Sequence, residues 1–142
     1  MKNSVLNQFE QSLFEALLNG DRIRLGQQII TAVSGGKDSM TLLYSMSRIA
    51  DRLNVKINVV HVNHHLRHNS NNDQILVDKF CTQLKINFIL DHLDPATKLK
   101  GESPESWARN HRYAALERIR KEIDADWIFT AHHGNDQIET IL

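Results

Sequence analysis

A chain of 142 residues, 41% of them hydrophobic, is long enough for one domain with a real core and too apolar to be disordered. Lysine plus arginine and aspartate plus glutamate each number 17, so the net charge is zero and the segment by itself lacks the basic footprint of strong nucleic-acid binding. There is neither a run of 18 apolar residues nor a charged-then-apolar leader, which predicts a cytoplasmic protein with no membrane span. The single cysteine, Cys81, excludes an internal disulfide and a Cys-x-x-Cys pair.

Along the chain the hydrophobic period switches regularly. Ser4 is placed to cap a first helix with Val5, Leu6, Phe9, Leu13, Leu17 and Leu18 on one face, closed by Asn19-Gly20. Residues 28–33 read as strand one, and 38–53 as a helix that buries Met40, Leu42, Leu43, Met46 and Ile49. Strand two covers 55–62. The polar stretch 64–72 leads to a helix over 73–84, where the spacing of Cys81 from Val77 and Leu84 makes it a core residue before a reactive thiol. A short third strand at 87–90 is followed by a loop over 94–103. Pro104 opens a helix that continues to 122, and 126–131 is strand four. Strands alternating with helices predict an α/β fold, a Rossmann-like open parallel sheet with helices on both faces. Asp136 with Glu139 has the capping pattern of one more helix, with Ile138, Ile141 and Leu142 beginning its apolar face. Helices average about 11 to 12 residues, so the chain is expected to stop inside that helix, lacking the last elements of the fold.

The most informative segment is Ser34-Gly35-Gly36-Lys37-Asp38-Ser39, directly after the β-branched run that ends at Val33. A strand passing through two glycines into a helix makes a loop whose backbone N–H groups converge on one point, the geometry that binds phosphate. Gly35 and Gly36 permit close approach of an anion, Ser34 and Ser39 offer hydroxyl donors, and Lys37 offers a mobile positive charge. Asp38 would repel phosphates unless a cation sat between them, and so argues for Mg²⁺. A Gly-Gly turn with an Asp helix cap would need neither both serines nor the lysine. The Walker spacing is absent, and a dinucleotide site would want an acid closing strand two, where His61-Val62-Asn63 stands instead.

The six residues resemble the SGGxDS loop of the PP-loop ATP pyrophosphatases, which cleave ATP between its α and β phosphates and hand AMP to a substrate oxygen. Three further blocks resemble, in order and spacing, the tRNA(Ile)-lysidine synthetases of that family. They are His61-Val62-Asn63-His64-His65-Leu66-Arg67, the run from Glu105 to Tyr113 with its Arg109 and Arg112, and the run from Ala131 to Thr140. The resemblance covers residue 25 to the end. Two positions depart from the pattern: His65, where the family commonly has glycine, and Asn135-Asp136, where it has two acids. What the resemblance implies is an N-terminal catalytic domain using ATP, L-lysine and tRNA(Ile), with tRNA-binding domains beyond it that are absent here.

The remaining candidates each carry two readings. His61, His64, His65 and His68 suggest a metal, but an extended segment does not bring four imidazoles to one centre and no cysteine or acid pair completes a zinc shell. His61 and Asn63 instead line the end of strand two, where open α/β sheets bind ligands, and the resemblance implies adenine or ribose contacts there. Arg109 and Arg112 share a helix face suited to phosphates or RNA, or else form a basic surface with Arg118, Arg120 and Lys121. Trp107 and Tyr113 read as core. After strand four, His133 is a candidate donor to nucleotide phosphates, and Asp136 either a second acid for Mg²⁺ or a helix cap.

The expected function is ATP-dependent ligation of lysine to the wobble cytidine of tRNA(Ile) with a CAU anticodon through an adenylated base. Asp38, Arg109 and Asp136 are its candidate catalytic residues. Ser34, Gly35, Gly36, Lys37, Asp38, Ser39, His61, Asn63 and His133 would bind nucleotide, and Asp38 and Asp136 the metal. The alternatives are another PP-loop amidating or thiolating ligase, or a non-catalytic nucleotide-binding module. An uncovered sheet edge would favour self-association as a homodimer.

Overall fold

Alternate residues of strand β1 (Gln28–Ala32) point to opposite faces of the sheet, and each face carries its own core. Ile29 and, just past the strand, Val33 belong to one cluster, Ile30 and Ala32 to the other. The structure, a computed structural model, describes residues 7, 8, 10, 11, 15, 26–66, 70–131 and 138–141. Within these, β1 is followed by α1 (Lys37–Leu53), β2 (Lys56–Asn63), α2 (Ser70–Leu84), β3 (Asn87–His92), a 3-10 turn (Pro95–Thr97), α3 (Pro104–Ile123), β4 (Trp127–Ala131) and β5 (Ile138–Ile141). The sheet order is β3-β2-β1-β4-β5. The first four strands are mutually parallel, in the registers Ile29↔Ile57, Asn58↔Asn87 and Ile29↔Trp127.

Helices α1 and α2 cover one face: Leu42, Leu43, Met46 and Ile49, with Val77 and Cys81, pack on Ile29, Val59 and Phe129. α3 covers the other, setting Trp107, Leu116 and Ile119 against Ile30, Val60 and Ile128. Each fully buried aliphatic side chain contributes about 1.5–3 kcal/mol, so both helical layers are held chiefly by apolar burial. Trp107 is a core residue, its indole N–H donating to Thr97 Oγ1 at 3.0 Å. Cys81 is buried, and burial pushes its thiol up to about 11, which makes it a poor nucleophile.

Two boundaries differ from the sequence reading. The expected cap at Ser4 and its apolar face of Val5, Leu6, Phe9, Leu13, Leu17 and Leu18 lie outside the described residues. Within them, Glu10 N–H donates to Asn7 Oδ1 at 2.8 Å and Asn7 N–H to Glu10 Oε1 at 2.9 Å, a reciprocal capping box. The Glu10 carboxylate is buried and meets Arg48 of α1 at 2.7 Å, tying this turn to the domain. α2 begins at Ser70, three residues earlier than its apolar pattern. The second correction concerns residues 138–141, expected to continue a helix. They form a strand antiparallel to β4, with Ile128↔Ile141 and Ala131↔Ile138. β-branched Ile138, Thr140 and Ile141 suit a strand, and the pairing satisfies the outer edge of β4.

Candidate functional site: a phosphate loop at the switch point of the sheet

The chain leaves β1 toward β2 and β3 and then returns to β4 on the other side of β1. The carboxyl ends of β1 and β4 therefore flank the crevice where open α/β sheets hold ligands. The loop from Ser34 to Ser39 lies there and is braced from within. Ser34 N–H donates to Ser39 Oγ at 3.1 Å, the two hydroxyls meet at 3.0 Å, and Ser39 Oγ donates to the Gly36 carbonyl at 3.1 Å. Ser39 is buried and Ser34 exposed, so one serine holds the loop while the other also faces solvent. Gly36 stands at the N-cap of α1 without a side-chain cap, leaving the first-turn N–H groups for an anion. Lys37 and Asp38 are exposed in that first turn.

Gly35 explains itself twice over. Its φ is +91°, and a Cβ built on it would lie 2.8 Å from Cβ of Asp73 on α2. The loop is thus pressed against the first turns of α2, and any side chain would push the two apart. Asp73 is the acid that sequence reasoning missed: it lines the same cavity as Ser34 and Ser39. Its only early signal was an acid near the start of the helix after β2.

That cavity, of ≈190 Å³, is walled by Ser34, Ser39, His61, Asn63, Asp73 and Arg112 among others, with Thr130 of β4 on its far side. His61 is 3% exposed, and its Nδ1 lies 2.7 Å from the Val33 carbonyl. A carbonyl only accepts, so Nδ1 carries the proton and Nε2 is left as an acceptor. Nε2 is buried with no partner among the described residues. Burial pushes the His61 pKa below the ordinary value, opposed by the Val33 hydrogen bond and the Asp73 charge. A neutral acceptor thus awaits a donor such as an amine or hydroxyl.

Asn63 also reaches the cavity, but its amide is occupied: it donates to Asn71 Oδ1 at 3.0 Å and Gln74 Oε1 at 2.9 Å, and accepts from His65 N–H at 3.0 Å. Its side chain sets the path of the loop after β2. His65 has φ +56°, in the left-handed region, which accounts for glycine being common at this position in the resembling synthetases. Its ring stacks on His92 of β3, with Nε2 and Nδ1 2.7 Å apart. His64 Nδ1 accepts from Leu66 N–H at 3.0 Å, and among the described residues no three metal-ligating side chains gather at one centre.

α3 brings both arginines to the ligand edge. Their guanidinium carbons lie 5.3 and 5.4 Å from the Tyr113 ring centroid, for Arg109 and Arg112 respectively. Arg112 lines the phosphate-loop crevice and also a second cavity of ≈600 Å³, whereas Arg109 lines the second alone. Arg112 Nε is buried with no hydrogen-bond partner among the described residues. His68, His133 and Asp136 lie outside the described residues.

Fold, loop and crevice together define an open α/β domain of the nucleotide-binding class. Residues 5–142 match the PP-loop domain family, and the chain belongs to it. It is similar to the tRNA(Ile)-lysidine synthase of Thermotoga maritima, at 38% identity over 82% of this chain and 29% of that protein. It is similar also to the tRNA(Ile)-lysidine synthase of Clostridium acetobutylicum, at 36% over 100% and 30%. The chain thus spans less than a third of the length of these curated relatives. Among solved structures it is similar to the U34-tRNA thiolase NcsA from Methanococcus maripaludis, with a TM-score of 0.74 at 20% identity, covering 88% of this chain and 44% of that one. At that identity the likeness is one of fold.

Proposed function

We propose that the chain is the ATP-binding part of an enzyme that forms lysidine in tRNA(Ile). In this reaction the base oxygen of the wobble cytidine attacks the α-phosphate of ATP and pyrophosphate leaves. The ε-amine of free L-lysine then attacks the adenylated base carbon, losing a proton as AMP departs. The observation that carries the reading is the braced loop at the switch point, opening on a crevice with an unpartnered acceptor on His61. It is supported by the relatives named tRNA(Ile)-lysidine synthase.

In this scheme the N–H groups of the loop and the Lys37 ammonium orient the phosphates, the serines hold the loop in shape, and His61 Nε2 accepts from the nucleoside. His133 donates a hydrogen bond to the nucleotide phosphates. Mg²⁺, when bound, neutralises charge on the phosphates. Carboxylate oxygens suit that ion, and Asp38, Asp136 and the loop-facing Asp73 are the acids that would hold it. The resulting assignment of the chain is an N-terminal catalytic domain, cytoplasmic, whose partners are ATP, lysine and tRNA, with tRNA-binding domains elsewhere in the whole protein.

The test is replacement of the matching segment of the Thermotoga maritima synthase by this chain. The purified chimera is incubated with ATP, Mg²⁺, radiolabelled lysine and tRNA bearing the CAU anticodon. AMP and pyrophosphate should form in step with lysine incorporation. A chimera that binds ATP but yields ADP and phosphate, or leaves tRNA unlabelled, contradicts the reading.

A further inference from the structure

His65 and His92 make a pair that the phosphate-loop crevice does not use. With the nitrogens in contact at 2.7 Å, a centroid separation of 4.9 Å is close to the longest that two imidazoles can reach, so the stack is offset until the rings meet edge to edge, 15° from one plane. The pair is one flat plate, and both residues are exposed. No further ring stacks on it among the described residues. Holding the plate strains the backbone: His65 keeps φ +56°, a region that side-chain-bearing residues rarely adopt, secured by its N–H on Asn63 Oδ1 at 3.0 Å. Its place is the ligand edge. His92 is the register partner of Asn63, and Asn63 and His64 line the phosphate-loop crevice, whereas neither His65 nor His92 does. The plate therefore borders the crevice from outside, on the β3 side.

We propose that this plate is a stacking platform for an unpaired base of the RNA substrate, next to the cytidine that enters the crevice. The assignment rests on the lysidine-forming reading and names the residues that hold the flanking nucleotide. Bases of single-stranded RNA loops are gripped on the faces of aromatic side chains, histidine included. A chain with no net charge draws the phosphate backbone weakly, so at this edge a base face is the better match. The ends of the plate suit a nucleotide too. One of the two facing nitrogens carries the shared proton; in the neutral pair the ring that donates keeps a bare outer nitrogen, and the ring that accepts keeps an outer N–H. The plate thus ends in one acceptor and one donor, which match a ribose 2′-hydroxyl. The adenine of ATP fits this place less well, because the crevice assigned to its phosphates is lined by neither ring. His65 and His92 are positioning residues and take no part in the bond-making steps.

Amide and imidazole NMR of the isotopically labelled whole chain, saturated with a non-hydrolysable Mg·ATP analogue, tests the assignment. The probes are a pentaribonucleotide with CAU at its centre and the same oligomer with abasic riboses flanking the cytidine. On adding the first, the carbon-bound ring protons of His65 and His92 should move upfield, the ring-current signature of a base stacked over them, whereas the analogue alone leaves them in place. The abasic oligomer should bind about tenfold more weakly. His65→Gly, which suits the left-handed φ, and His92→Ala should each weaken the intact oligomer about tenfold and bring it level with the abasic one. Both variants should bind the analogue as before, which shows that they are folded, and His92→Phe should retain most of the oligomer binding. Ring protons that shift with the analogue alone would make adenine the occupant and overturn the RNA assignment. Ring protons that stay in place while crevice amides respond to the oligomer, or oligomer binding indifferent to both substitutions, would overturn the platform. So would an oligomer that binds nowhere on a chain that still binds the analogue, and the ligase reading would then be decided by the chimera assay.

Discussion

Gly35 is the residue on which the loop turns. Gly35→Ala introduces both a left-handed φ for a side-chain-bearing residue, about 1–2 kcal/mol, and a contact to Asp73 at 2.8 Å that requires α2 or the loop to shift. Urea unfolding should show a loss of at least that size, and ATP affinity should fall roughly tenfold as the N–H groups lose their alignment; unchanged stability and affinity would refute this account of the loop. His61 carries a pH signature. Its folded-state pKa lies below its unfolded value, so on acidification the unfolded chain takes up the proton first. The stability this contributes is full above pH ~6.5 and is lost as pH falls through that value toward the folded pKa. Urea midpoints measured from pH 7.5 to 5 should decline more steeply in the unaltered chain than in His61→Gln. At this scale the loop serines, the glycines and His61 were legible, because local spacing and a strand end mark them. Asp73 and the double role of Arg112 were not, since each depends on a contact between elements far apart in sequence. The occupied amide of Asn63 was hidden for the same reason.

Between elements the account rests on two helical layers and one well-defined cap. Ser103 caps α3, its Oγ accepting from Ser106 N–H at 3.1 Å, with Pro104 as first helical residue. Ser103→Ala should cost about 1 kcal/mol and loosen the first turn of α3. Leu43→Ala, on the opposite layer and fully buried, should cost about 2–5 kcal/mol. Thermal melts of the two variants separate these outcomes. A Ser103→Ala chain as stable as the parent would show that the cap is dispensable. The parallel order β1 to β4 and the placement of helices on both faces followed from period and alternation. The strand at 138–141 did not: its apolar spacing fits a helical face, and only the bare edge of β4 makes a strand the better partner. The early start of α2 was obscured by polar Ser70, Asn71 and Asn72, of which Ser70 lines the crevice and Asn71 accepts from Asn63 rather than joining the core.

At the scale of the whole molecule the claim is that the ligand edge is the carboxyl end of the sheet. A rival cavity of ≈470 Å³ lies at the opposite end, lined by Tyr44, Arg48, Lys56, Lys85 and Asn87. It is basic and open, but it has no phosphate loop and no switch point behind it. Among the described residues no helix is long and apolar enough to cross a membrane, and the zero net charge leaves tRNA affinity to other parts of the proposed enzyme. The most direct measurement is a two-dimensional amide NMR titration of the isotopically labelled chain with Mg·ATP. The largest shifts should fall on Gly35, Gly36, Lys37, Ser39, His61 and Asp73, with Lys56, Lys85 and Asn87 unmoved. Shifts concentrated on Lys56, Lys85 and Asn87, or none at the loop at saturating nucleotide, would contradict the account.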